Sequence, residues 1–191
     1  MTNFPWLSVI TFAPMIGVLF ILLIRGNPEV EARNTRAVAL WTSLITFAVS
    51  MGIWVKFDNA IVGFQFEEKA VWMESLGLAY HLGVDGISMF FILLSTLLTV
   101  LCIAASWISI TDRVKEYMIS FLVLETLMIG MFSALDLVLF YVFFEGRLLS
   151  TFRLIATFRV STFKVSTFRV TTATILLDLL VLDLLRGKIS L

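Results

Sequence analysis

The stretch Asp136-Leu137-Val138-Leu139-Phe140-Tyr141-Val142-Phe143-Phe144-Glu145-Gly146 decides how this chain is read. An acid opens it, eight apolar residues follow, and a second acid falls where a membrane helix reaches mid-bilayer. A charge at the centre of a spanning helix costs at least about 2.5–3.5 kcal/mol. Such residues face a protein interior or a water file, so Glu145 reads first as a proton or ion site. The plainer alternative is a neutral, hydrogen-bonded glutamate that only helps helices pack.

The rest of the composition agrees with a membrane setting. Of 191 residues, 60% are hydrophobic and 15% charged, against about 45–50% apolar in soluble domains. The formal net charge is zero, and no basic cluster is interleaved with aromatics, so nucleic acid is not an expected partner. The single cysteine, Cys102, has no disulfide partner in the chain and sits in an apolar run. It and the one histidine, His81, make no metal site, since closed sites take about four ligands. Neither a phosphate-cradling glycine loop nor a nucleophile triad is visible.

Taken in order, the chain gives uncharged runs over 4–24, 37–55 and 87–110, a run with one charge, Glu125, over 117–135, and a fifth helix from 137 through 146 onward. The first spans about 31 Å at 1.5 Å per residue, which matches a hydrocarbon core of about 30 Å. Pro14 within it predicts a kink, tolerated when neighbouring groups satisfy the freed carbonyl. Residues 25–36 read as a polar connection carrying Arg25, Arg33 and Arg36, and Trp41 and Trp54 mark the interfaces of the second run. Between the second and third runs, Phe64-Gln65-Phe66-Glu67 and Tyr80-His81-Leu82 alternate apolar and polar residues, which predicts a small hairpin. His81 reads as a surface or hydrogen-bonded residue. Gly83-Val84-Asp85-Gly86 reads as a turn in which Asp85 favours the N-terminus of the third helix. Ala134-Leu135-Asp136 leaves almost no loop before the fifth.

Lysine and arginine concentrate in the first and third connections, which places these on the cytoplasmic or matrix side and the N-terminus outside. Glu125 and Glu145 then lie on sequential antiparallel helices, each about 12 Å from a helix end. Two acids near the midplane suggest a relay, and if they share a site one of them holds a proton.

Four blocks carry a resemblance: Leu82 to Ser88, Arg113 to Met118, Phe121 to Gly130, and Asp136 to Glu145. In order and spacing they resemble the antiporter-like M chain of proton-pumping NADH-quinone oxidoreductase, counterpart of mitochondrial complex I chain 4. The resemblance covers Met1 to Gly146. It implies an all-α inner-membrane (cell-membrane) fold of some fourteen helices with both ends outside, of which about five would be present here. It implies that Glu145 is a proton-channel residue working with a lysine on a seventh helix, and that Glu125 matches a helix-four acid. It further implies that the chain holds no redox cofactor. NADH, FMN, iron–sulfur clusters and quinone would belong to partner subunits, and the chain's partners would be other membrane-arm subunits, the lipid bilayer and protons.

Beyond Gly146 the resemblance stops. Thr-Phe followed by Arg or Lys recurs at 151–153, 157–159, 162–164 and 167–169. A period near five suits neither helix nor strand, so 147–191 reads as an irregular, low-complexity tail. A basic segment on the membrane surface is the functional alternative. A full fifth span would run from Leu137 to about Phe158 and hold Glu145, Arg147 and Arg153. Residues 175–185 are apolar but too short to span, and they hold Asp178 and Asp183. The expectation is a family region, 1–146, joined to a truncated or frameshifted tail, and lacking the seventh-helix lysine the fragment is not expected to act alone. Two other readings remain open on sequence: a subunit of a multi-chain cation/proton antiporter, and an inert or regulatory membrane stub.

Overall fold

The computed structural model describes residues 4–58, 63–73 and 78–158. Five helices and one hairpin follow in order: α1 (Trp6–Leu23), α2 (Pro28–Lys56), β1 (Gln65–Met73), β2 (Leu78–Val84), α3 (Gly86–Ser109), α4 (Val114–Ser133) and α5 (Leu137–Phe158). The fold is that of an all-α membrane protein with a small antiparallel sheet. Helices α1 to α4 are each long and apolar enough to cross a membrane. Any stretch of α5 of spanning length holds Glu145, Arg147 and Arg153. The chain divides into two units, residues 1–150 and 151–191. In the second, the described residues are the last turns of α5, and the tail from 159 onward lies outside the described residues.

Four boundaries differ from the sequence reading. The connection at 25–36 is mostly helix: α2 starts at Pro28, not Ala37. Charge marks where a chain leaves lipid, not where a helix ends. Pro28 suits the first helical position because its missing N–H is an orphan there, and Glu29 and Glu31 complement the positive helix end. At 29 residues α2 is about 43 Å long and overshoots the hydrocarbon core. Helix α4 likewise starts at Val114 rather than Tyr117. Gly83 and Val84 belong to β2 rather than to a turn. A Cβ on Gly83 would come 2.6 Å from Leu135 Cδ1, so glycine lets the strand pass under the α4–α5 connection. At the other end, residues 147–158 are helical rather than irregular.

The hairpin gathers helix ends on one face. The Glu68 carboxylate accepts from Leu7 N (2.7 Å), Ser8 N (3.1 Å) and the Ser8 hydroxyl, so β1 supplies the cap that α1 lacks locally. The Ser8 hydroxyl lies 3.0 Å from that of Tyr80. Burial pushes the Tyr80 phenol above its ordinary value, the Glu68 charge adds to this and the Ser8 bond opposes it. Lys56, at the end of α2, sits 4.0 Å from the Trp6 ring centre. Asp85 caps α3 through Ser88 N (2.7 Å), and Leu135 N donates to the His81 carbonyl (2.9 Å). On the opposite face Lys115 Nζ donates to the Ile24 carbonyl and to Glu31, both at 2.7 Å, and Arg36 donates to the Ile110 carbonyl at 2.6 Å. Chain ends thus alternate between faces, as antiparallel spans require.

Helix α4 is the hub. Its buried residues include Phe121, Leu122, Leu124, Glu125, Thr126 and the whole run from Met128 to Ser133, so it is enclosed on all sides. Helices α1 to α3 each bury one stripe and turn Phe12, Leu19, Trp41, Ile45, Phe90 and Leu101 outward. Between α2 and α3 the seam is built from small hydroxyl residues, with Ser50 3.1 Å from Thr96. These side chains donate to carbonyls of their own helices, which hides the polar groups and lets backbones approach. Gly17 does the same for α1 against α2, where a Cβ would meet Thr42 at 2.5 Å.

Candidate functional site

Two acids were expected at mid-membrane depth, and the structure gives them different surroundings. Glu125 is 0% exposed, and neither carboxylate oxygen has a hydrogen-bond partner among the described residues. Leaving a buried polar group unpaired costs about 1–3 kcal/mol, and more if it is charged. Glu145 is half-buried on α5, where the Tyr141 hydroxyl one turn earlier bonds to it.

The seam between α4 and α5 sets their relation. A Cβ on Gly130 would strike the Phe143 ring at 2.5 Å, and one on Gly146 would approach Leu127 at 3.1 Å. These two contacts fix an antiparallel register in which Met128 lies beside Glu145. Glu125 is three residues, about 4.5 Å, deeper. The two acids therefore share a depth within a helical turn, as the sequence suggested.

Their faces do not meet. Leu127 and Gly130 turn toward α5. Glu125 precedes Leu127 by two residues, a rotation of about 200°, so it points to the opposite side of α4, toward α1, α2 and α3. On α5, Leu139, Phe143 and Gly146 face the seam. Glu145 follows Phe143 by two residues and stands among the exposed Val138, Tyr141, Val142 and Leu149. The acids are back to back across two helices. A proton passing between them would need an intermediate carrier.

The sequence reading missed the setting of Arg147. Arg147 is buried with only 1% exposed. The available signal is its spacing: it follows Phe143 by four residues and so shares the packed face. His81 behaves as expected of a surface histidine, with Nε2 3.3 Å from a Glu67 carboxylate oxygen.

The depth of Glu125 can be carried across the bundle from other contacts. Phe91 stacks on Phe132 at 5.2 Å, and Ser106 bonds to Tyr117, which places Leu98 and its buried neighbour Thr99 level with Glu125 on α3. The Ser50–Thr96 and Arg36–Ile110 contacts carry that level to Ala48 on α2, between buried Thr46 and Ser50. The Gly17–Thr42 approach carries it to Thr11 on α1, and the Lys115–Ile24 bond gives Pro14. A buried carboxyl thus shares its layer with threonine and serine oxygens and with the proline of α1.

No family profile matches the chain. Individual relatives do. NADH-quinone oxidoreductase subunit M of Rhodobacter capsulatus is 49% identical over 150 residues, 78% of this chain and 29% of that protein. NADH-ubiquinone oxidoreductase chain 4 of Chondrus crispus is 44% identical over 149 residues, 78% of this chain and 30% of that protein. Subunit M of Rickettsia prowazekii (strain Madrid E) is 38% identical over 155 residues, 81% of this chain and 32% of that protein. A chain of the membrane-bound sulfane sulfur reductase, an archaeal respiratory membrane complex, superimposes with a TM-score of 0.57 at 18% identity. The match covers 78% of this chain and 23% of that one, and it supports the fold. Over about 150 residues the chain belongs to the family of NADH-quinone oxidoreductase subunit M and NADH-ubiquinone oxidoreductase chain 4, and it spans about 30% of the length of these relatives.

Proposed function

We propose that the chain is part of a membrane-arm subunit of a proton-pumping NADH-quinone oxidoreductase, with Glu125 and Glu145 as proton-path residues. The observation that carries this is Glu125, a fully buried carboxyl at the middle of the central helix with no hydrogen-bond partner among the described residues. Packing alone would favour an apolar side chain there, because replacing a buried polar group by an apolar one of like shape is neutral or stabilising. Intramembrane acids mark ion and proton routes.

In this reading the chain has no redox group of its own. NADH, FMN, iron–sulfur clusters and quinone are handled by partner subunits, and electron transfer drives proton movement at a distance. Its partners are the other membrane-arm subunits, lipid and protons. Arg25, Arg33, Arg36, Arg113 and Lys115 lie at the end of the bundle away from the hairpin, which favours that end as the cytoplasmic or matrix face of an inner (cell) membrane, with the N-terminus outside.

The back-to-back acids then act on separate segments of the path. Glu125 serves the interior between α1 and α4, and Glu145 serves the outer face of α5. The test is made in a full-length subunit within an assembled complex. Glu145→Gln keeps the shape and removes the titratable group, so proton uptake per NADH oxidised in membrane vesicles should fall by more than half while assembly on native gels is unchanged. Near-normal pumping with normal assembly would remove Glu145 from the path.

A further inference from the structure

Besides the Thr126 hydroxyl, which lies about 100° round α4 from Glu125, two polar groups in the Glu125 layer lack their ordinary partner among the described residues. One is the Glu125 carboxyl, buried with both oxygens unbonded. The other is the main-chain carbonyl of Ile10. Pro14 lies inside α1 and has no N–H, so the carbonyl four residues earlier loses its helical donor. Both Ile10 and Pro14 are on the buried side of α1, where a carbonyl without a donor is costly. Register places Thr11 to Pro14 level with Glu125. Glu125 points away from α5, into the space shared by α1, α2 and α3, and α1 packs directly against α4.

We propose that a protonated Glu125 donates its proton to the Ile10 carbonyl, which makes Pro14 the residue that creates the acceptor of a one-proton site between α1 and α4. Four threonine hydroxyls on the facing helices of that layer are weaker competitors, and Thr126, as the next residue on α4, does not face Glu125. The hydrogens of Thr11, Thr46, Thr96 and Thr99 are committed to carbonyls of Leu7, Thr42, Ile92 or Leu93, and Ser95. They have only lone pairs left to offer, and none of them is left with an unmet need. Pairing Glu125 with Ile10 removes two desolvation penalties with one bond.

The site deepens the proton-path reading of Glu125, on which its functional meaning rests. The hydrogen bond itself is read without turnover, so the two can fail separately. The experiment is infrared spectroscopy of the full chain in lipid bilayers at acidic pH, with the Glu125 carboxyl C=O band assigned by its loss in Glu125→Gln. Pro14→Ala returns a helical donor to Ile10, and the band should move to higher frequency as its hydrogen bond weakens. Thr99→Val should leave the band in place. An unmoved band in Pro14→Ala, or a shift in Thr99→Val instead, overturns the proposal.

If Pro14→Ala does not fold, the carbonyl carbon of a 13C-labelled Ile10 is read instead. Its resonance should move upfield when Glu125→Leu removes the donor, and an unchanged resonance overturns the proposal. Normal pumping by a full-length Glu125→Gln subunit, with the spectroscopic shifts as expected, would dismiss the proton-path reading and leave the hydrogen bond standing.

Discussion

Helices α4 and α5 hold the same residue type within a helical turn of the same depth and treat it in opposite ways. Helix α4 encloses Glu125 with protein on every side and gives it no side-chain partner. Helix α5 turns Glu145 outward, beside Tyr141 and among exposed valine and leucine side chains. Depth along a helix is thus a poor guide to environment. Azimuth decides it, and azimuth is set by the two glycines, Gly130 and Gly146, that let the helices close on each other.

The largest test of this contrast is a charge of the opposite sign. Glu125→Lys puts a buried ammonium where no described carboxylate pairs with it, and should cost about 3–5 kcal/mol, on the scale of an uncompensated buried charge. Glu145→Lys in detergent, on an exposed face, should change stability by no more than about 0.5 kcal/mol. Unfolding monitored by tryptophan fluorescence in detergent measures both, and equal losses would erase the distinction. Next comes the seam that creates it. Gly130→Leu drives a side chain into the Phe143 ring and should destabilise by about 1–3 kcal/mol, as overpacking does. Gly26→Leu, where no atom lies within 4 Å of the built Cβ, is the control. A Gly130→Leu protein as stable as the control would mean that α4 and α5 do not close there.

The smallest effect lies outside the membrane and concerns pH. The folded Tyr80 phenol binds its proton more tightly than in the unfolded chain, where its value is near 10.0. Its contribution to stability is therefore complete below pH 10 and is lost as pH rises through the higher folded value. Tyr80→Phe should flatten that alkaline decline. An identical decline in both proteins would assign it to another group.

Much of the fold was legible because lipid demands uncharged runs, and such runs are read directly from residue types. The hairpin was legible from alternation at Phe64–Glu67 and Tyr80–Leu82, although its pairing extends well past both. The start of α2 was not, because Arg33 and Arg36 mark the membrane boundary while the helix continues beyond it. Depths for Glu125 and Glu145 followed from counting residues. Their opposed directions did not, because they depend on which face of α4 receives Phe143, a fact of tertiary packing. The Glu68 cap was hidden for the same reason: its partners, Leu7 and Ser8, are remote in sequence.

That cap has a consequence for the order of biosynthesis. The first turn of α1 is held by a side chain 61 positions later in the chain. When α1 leaves the ribosome, the N–H groups of Leu7 and Ser8 have no carboxylate to meet, and they acquire one only after α2 and the start of β1 have been made. The first helix of the chain is thus completed by its first extramembrane strand, and its terminus matures after the second helix has been synthesised.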